Sequence, residues 1–126
     1  MHETTTFVIQ LHLAKKAGRH WDFRIKRKGV LESWAVPKAK FPLKGERILA
    51  VRTPQHPLYW EKFKGKIDAG YGKGMVYIHD TGVCNIIQWK PDKIGFELQG
   101  HKEKGTFWLI RIHGSNKNTW IMLRSK

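Results

Sequence analysis

At 126 residues the chain has room for one hydrophobic core, which predicts a single domain over residues 1–126 and excludes a multidomain architecture. Hydrophobic residues make up 40%, six residues being Trp, which excludes a disordered basic tail, and 24 Lys and Arg against 10 acidic residues give +14, a balance that favours a polyanionic partner through counterion release. The lone Cys84 excludes an intrachain disulfide and a thiolate zinc site, and the sequence shows neither a leader-like amino terminus nor a run near the roughly 18 apolar residues of a membrane span.

Period-two alternation of apolar and polar residues recurs along the chain and predicts strands in most segments. The first, Phe7 to Ala14, places Phe7, Ile9, Leu11 and Leu13 on one face and Val8, Gln10, His12 and Ala14 on the less apolar one. The second, His20 to Lys26, alternates more sharply: Trp21, Phe23 and Ile25 project one way, His20, Asp22 and Arg24 the other. Lys28-Gly29 turns the chain into Leu31 to Val36. Two irregular stretches, Pro37 to Glu46 and Pro54 to Gly74, flank a strand over Ile48 to Thr53, and Tyr59 to Phe63 can form one helical turn. Loops of that length in a small domain tend to be functional. Five more strands follow: Met75 to His79, Asn85 to Trp89, Ile94 to Leu98, Thr106 to Ile112 and Thr119 to Arg124. Asp80-Thr81-Gly82, Lys90-Pro91-Asp92-Lys93 and Gly114-Ser115-Asn116-Lys117-Asn118 each read as a hairpin connection. The pattern predicts an all-β, mainly antiparallel fold, a small closed or nearly closed barrel of about eight strands with long functional loops and little helix.

A hairpin between the first two strands brings His12 beside His20 and Asp22, and two imidazoles with a carboxylate can hold a divalent metal. Arg24, on the same face, can grip a phosphate bidentately, and the pair of functions suggests a metallophosphoesterase. Other readings stay open. With seven His in 126 residues, a strand histidine is often a surface or core group, and Arg24 alone reads equally as a solvated charge. His20-Trp21-Asp22 also has the His-x-Asp form found in non-haem iron oxygenases, although their third ligand usually lies far downstream in a larger fold. A rival from another class is a noncatalytic basic barrel that binds nucleic acid with exposed Trp or Tyr as stacking platforms. Serine-hydrolase elbows and Walker-type phosphate loops are absent from the sequence.

The residues resemble the 3′-phosphoesterase family, best known as the amino-terminal domain of bacterial DNA ligase D in end joining. The blocks that carry the resemblance are Phe7-Val8-Ile9-Gln10 with His12, then His20-Trp21-Asp22-Phe23-Arg24, where the family usually has Tyr in second place, and Gly29-Val30-Leu31-Glu32-Ser33-Trp34-Ala35-Val36-Pro37-Lys38. It continues in Leu49-Ala50-Val51, His56-Pro57-Leu58, Tyr71-Gly72-Lys73-Gly74, Gly105-Thr106-Phe107 and Trp120-Ile121-Met122-Leu123. It implies a small barrel that uses Mn²⁺ to remove blocking groups from DNA 3′ ends, a terminal ribonucleoside by diester cleavage and then the 3′-phosphate. His12, His20 and Asp22 are thereby implied as metal ligands, Arg24 and His56 as groups that hold the phosphate, and Lys38 as a further phosphate-side residue.

Several departures from the family shape the expectation. The interval from His12 to His20 is two residues longer, which enlarges the basic loop Lys15-Lys16-Ala17-Gly18-Arg19. Trp60, preceded by Tyr59, stands where the family typically has Tyr, and the Gly-rich loop Ile67-Asp68-Ala69-Gly70-Tyr71-Gly72 is compressed. Six residues precede the first predicted strand, where ligase-fused members carry a longer polar arm that assists diester cleavage, so phosphomonoesterase activity is expected ahead of ribonucleoside removal. The resulting expectation is a Mn-dependent 3′-end-healing hydrolase acting on DNA or DNA/RNA 3′ ends in a primer-template duplex. Metal-activated water would attack, with Arg24 and His56 at the phosphate and His56 as a candidate proton donor. Lys15, Lys16, Arg19 and Lys26, with Arg27, Lys28, Lys38 and Lys40, would track the DNA backbone without reading sequence. A separate ligase and polymerase are the expected partners, and the expected location is cytoplasmic, with the nucleoid.

Overall fold

The alternation of the first two strands becomes the wall of a closed barrel in a computed structural model, which describes residues 3–70, 72–114 and 116–125. Its strands are β1 (Glu3–Ala14), β2 (Gly18–Arg27), β3 (Val30–Val36), β4 (Arg47–His56), β5 (Gly65–Ile67), β6 (Gly74–Lys90), β7 (Lys93–Gly100), β8 (Lys104–Arg111) and β9 (Thr119–Arg124). A 3₁₀ turn, Leu58–Lys62, lies between β4 and β5. Neighbours run β1-β2-β3-β4-β9-β8-β7-β6, and β6 pairs back to β1, so eight antiparallel strands close on themselves while β5 adds outside β6. Closure satisfies the backbone groups that an open edge would leave exposed. Among the described residues no helix is long and apolar enough to cross a membrane.

The apolar faces point inward. Phe7, Ile9, Phe23, Ile25, Trp34 and Phe96 are wholly buried in one cluster. Burying each such side chain stabilises the fold by roughly 1.5–3 kcal/mol. Trp21 joins them, packing edge-on against Phe41 at 5.6 Å between centroids. Phe41 also meets Phe23 at 5.1 Å and Phe107 at 5.0 Å, so the Pro37–Glu46 segment, expected as a functional loop, sends an aromatic plug into the core. Cys84 is buried there too, its thiol pushed up to about 12 by burial, which keeps it protonated and unreactive.

Four expectations need correction. Asp80-Thr81-Gly82 is not a hairpin: β6 runs unbroken through it for 17 residues, merging two predicted strands. The turn chemistry is real but differently used. Ile9 pairs with Asp80 and Gln10 with Ile78, so His79 is the extra residue of a β-bulge that bends β6 around the barrel. Asp80 there turns its carboxylate onto the backbone N–H groups of Thr81, His101, Lys102 and Glu103, closing the β7–β8 turn instead of making its own.

The second correction concerns Pro54 to Gly74, which contains the end of β4, the 3₁₀ turn and β5. Pro54 is tolerated because the β3–β4 register shifts at this point. Third, β1 begins at Glu3, not Phe7, because a β-branched Thr4-Thr5-Thr6 run extends the pairing with Val83–Asn85. Fourth, β2 starts at Gly18, which shortens the basic loop to the three residues Lys15–Ala17. Of the segments singled out above, Met1, His2, Tyr71 and Ser115 lie outside the described residues.

Candidate metal centre and phosphate pocket

The β1–β2 hairpin sets His12 directly opposite His20 and Gln10 opposite Asp22. On the outer face of this hairpin and of the neighbouring β3 the polar residues are covered: Gln10, His12, Asp22 and Arg24, with Ser33 opposite Arg24 on β3, are all buried. Gln10 holds the cover in place, its amide donating to the carbonyls of Trp60 at 2.7 Å and Phe63 at 3.1 Å. Burying five polar side chains on the outside of a barrel is costly unless each finds partners.

His12, His20 and Asp22 each offer a ligand atom, and these atoms lie within 4.8 Å of one another. The ring nitrogens divide cleanly. His12 Nε2 donates to the Gly72 carbonyl at 2.7 Å, and His20 Nδ1 to the Gly18 carbonyl at 3.2 Å. Those bonds leave His12 Nδ1 and His20 Nε2 as lone pairs, each 3.2 Å from a different oxygen of Asp22. Lone pairs facing a carboxylate repel unless a positive charge lies between them. The donor set therefore fits a cation, and backbone carbonyls behind each imidazole are the usual means of orienting metal-bound histidines.

The electrostatics agree. A proton is one such positive charge: with it on Nε2, His20 hydrogen-bonds to Asp22, and that bond raises the His20 pKa above its ordinary 6.5, against burial that would lower it. Burial would raise Asp22, but the hydrogen bonds of His12 and His20 and the charge of Arg24 outweigh it and hold the carboxyl well below the usual range. Gly72 belongs to this arrangement: a Cβ there would meet His12 Cε1 at 3.3 Å, so glycine lets the carbonyl come close.

Arg24 lies beside the trio, Nη2 being 3.8 Å from Asp22 Oδ2. Its Nε donates to Gln10 Oε1 at 2.8 Å and its Nη1 to Ser33 Oγ at 2.9 Å. The guanidinium is fixed before any ligand arrives, and burial lowers its pKa without removing its charge. His56, at the end of β4, sits with Nδ1 2.8 Å from the Pro54 carbonyl and 3.1 Å from Arg24 Nη1. Both contacts cannot be hydrogen bonds of one tautomer. Donation to the carbonyl is the shorter and leaves Nε2 as an acceptor. Burial and the Arg24 charge push the His56 pKa down, favouring the neutral imidazole. A phosphate dianion beside it would act in the opposite direction.

These five residues, His12, His20, Asp22, Arg24 and His56, line one cavity of about 530 Å³, large enough for a nucleotide-sized ligand. Ala35, Val51, Ile67, Val76 and the Trp60 indole give the same cavity an apolar part. Arg19 lines it as well, while Lys15 and Lys16 are exposed in the adjoining turn and Lys26 continues the His20–Asp22–Arg24 face of β2. Lys38 is exposed in the β3–β4 segment, outside the cavity lining.

Sequence reasoning assigned no part to Gln10, Ser33 or Gly72. A signal existed for Ser33. The two-residue turn Lys28-Gly29 pairs Arg27 with Val30, and counting back from it places Ser33 opposite Arg24. Gly72 carried none, being sixty residues from the histidine it orients.

Comparisons with known proteins point the same way. Residues 10–111 match the family described as DNA Ligase D 3′-phosphoesterase domain. The multifunctional non-homologous end joining protein LigD of Mycobacterium bovis is 39% identical over 126 residues, covering 96% of this chain and 16% of the relative. Its counterpart from Mycolicibacterium smegmatis is 37% identical, covering 95% and 17%, and that from Pseudomonas aeruginosa 33%, covering 95% and 15%. The chain thus spans about a sixth of the length of these curated relatives.

Proposed function

The chain belongs to the DNA ligase D 3′-phosphoesterase family, and we propose that it is a metal-dependent hydrolase that heals DNA 3′ ends, removing a 3′-phosphate to leave a 3′-hydroxyl during end-joining repair. The observation that carries this reading is the convergence of His12, His20 and Asp22 on a point beside the prefixed Arg24 guanidinium. His12 Nδ1, His20 Nε2 and the Asp22 carboxylate would hold a divalent ion, with Mn²⁺ the expected one. When bound, such an ion supplies Lewis-acid neutralisation of phosphoryl charge.

The chain's own residues do the rest. Arg24 keeps guanidinium hydrogens directed to the cavity while Gln10 and Ser33 hold the others, so it binds a phosphoryl group with little loss of side-chain freedom. His56, drawn toward protonation by the incoming dianion, donates from Nε2 to a phosphate oxygen while Nδ1 stays on the Pro54 carbonyl. Arg19 lines the cavity, Lys15 and Lys16 stand in the adjoining turn and Lys26 lies farther along the same face of β2, and together they neutralise backbone phosphates of a primer-template end, positioning it without reading bases. Removal of a 3′-terminal ribonucleoside, and hand-over to a ligase and polymerase, are the wider activity that this reading places around the site.

The test is a primer-template bearing a 3′-phosphate, incubated with and without Mn²⁺. Phosphate release only with the metal, lowered on the order of 100-fold or more by Arg24→Ala, is the expected result. DNA binding with no phosphate release under any divalent ion would return the protein to the class of noncatalytic binding barrels. The same primer ending in one ribonucleotide reads the diesterase step separately.

A further inference from the structure

Resting on that reading, we propose that Tyr59 is a stacking platform for the nucleobase of the 3′-terminal nucleotide, so that the enzyme recognises its end through a base as well as a phosphate. Tyr59 is the most exposed large apolar or aromatic side chain among the described residues, 69% accessible. Exposed aromatics that are neither core nor isolated tend to mark binding surfaces.

Its placement is what makes it specific. The inner face of Tyr59 stacks on Trp60 at 5.6 Å between centroids, with 29° between the planes. Trp60 lines the cavity and stands at 90° to His56, 5.7 Å away. Trp60 is held from behind by Phe63 at 4.5 Å and by the bond from Gln10 to its carbonyl. The Tyr59 ring is therefore buttressed, and little rotamer entropy remains to be lost when a ligand covers its outer face. Two aromatic steps lead from the candidate phosphate-holding His56 to solvent, a path on the scale of one nucleotide.

The chemistry of the rim fits a nucleotide better than a protein segment. The turn beside the cavity carries Lys15 and Lys16, Arg19 lines the wall, and the whole chain has +14, so the phosphodiester backbone is attracted while the base needs a π-face. Stacking accepts any base, which matches a repair enzyme that must take ends of any sequence. Tyr77, 49% exposed on β6 and outside the cavity lining, is a built-in control.

The experiment compares primer-templates with a 3′-phosphate on either a normal or an abasic terminal nucleotide, using the full chain with Mn²⁺. Wild type should show a KM roughly tenfold lower for the normal end, the effect of one base–aromatic stack. Tyr59→Ala should erase that difference by raising KM on the normal end alone, Tyr59→Phe should restore it, and Tyr77→Ala should leave it intact. An equal KM for both ends in wild type, or a tenfold preference surviving in Tyr59→Ala, overturns the inference while leaving the phosphatase reading standing. If no phosphate is released at all, binding of an oligonucleotide carrying 2-aminopurine at its 3′ end decides. Quenching that Tyr59→Ala abolishes supports the platform, and quenching that is unchanged refutes it.

Discussion

Asp22 and Asp80 are both buried carboxylates, each less than a tenth exposed, but Asp22 lies among the covered polar residues outside the barrel wall while Asp80 stands opposite the core residue Ile9. Both are held below the ordinary carboxyl pKa of 3.8 against burial that would raise them. They differ in what holds them. Asp80 accepts four backbone N–H bonds of 2.7–3.0 Å, from Thr81, His101, Lys102 and Glu103, and its oxygens are fully engaged by groups that cannot move, titrate or leave. Asp22 is held by two imidazoles and a guanidinium, partners that can exchange a proton for a metal or turn to a phosphate. Burial and a depressed pKa therefore do not distinguish a structural acid from a reactive one. The identity of the partners does.

Isosteric substitution should split the two most widely. Asp22→Asn keeps the volume but removes a charged donor from the ligand set, and phosphate release should fall by at least about 100-fold, the upper range for losing a mere supporting group around a metal. Its urea midpoint should hardly move, because the lost carboxylate was also a buried charge with a desolvation penalty. Steady-state kinetics and urea unfolding on one preparation read both effects. A large loss of stability with activity per folded molecule retained would make Asp22 another Asp80.

Asp80→Asn should behave in the opposite way. The new amide turns N–H groups against N–H groups at the β7–β8 turn, and Gly100 leaves no slack, since even a Cβ at that position would collide with the Asp80 carboxylate. Unfolding free energy should drop by about 2–4 kcal/mol, with phosphate release per folded molecule kept within a few-fold. The pH dependence has a definite sign. A carboxyl whose folded pKa lies below its unfolded value contributes stability above about pH 3.8, and that contribution is lost as pH falls through the lowered folded value. Wild type should thus lose its stability advantage over Asp80→Asn as the solution is acidified below about pH 4, and parallel pH curves would show that Asp80 gives the turn nothing.

The contrast also explains what could be read from sequence. Strand alternation in Trp21-Asp22-Phe23-Arg24 carries the face assignment, and the short connection between His12 and His20 carries the β1–β2 pairing, so the barrel and the His12–His20–Asp22 convergence were legible. Asp80 was misread because Asp-Thr-Gly has the composition of a turn, and nothing local says that its carboxylate serves the turn twenty residues later. Pro54 was misread for a related reason: a proline ends most strands, but a register shift accommodates this one within β4. The cover over the outer face, from the 3₁₀ turn to Gly72, was invisible because it is tied down by loop carbonyls, and a carbonyl has no sequence signature.

That last point yields the smallest effect and the finest test of the comparison. If Asp22 differs from Asp80 because its partners are exchangeable, the imidazoles must still be aimed by fixed groups one step further out, and Gly72 is such a group. Gly72→Ala adds one methyl 3.3 Å from His12 Cε1, tight enough to push the carbonyl and the ring apart by a few tenths of an ångström without disturbing the barrel. The carbonyl remains, so the loss should be partial: divalent-ion affinity lower by about three- to tenfold, at the mild end for a group that orients a metal-bound histidine. The urea midpoint should stay put, since the site lies outside the core cluster. Titration calorimetry with Mn²⁺ at a pH above the raised pKa of His20 is the cleanest reading, because below it the ion must also displace a proton and the apparent affinity falls for that reason alone. An unchanged affinity would mean that His12 needs no aiming from Gly72.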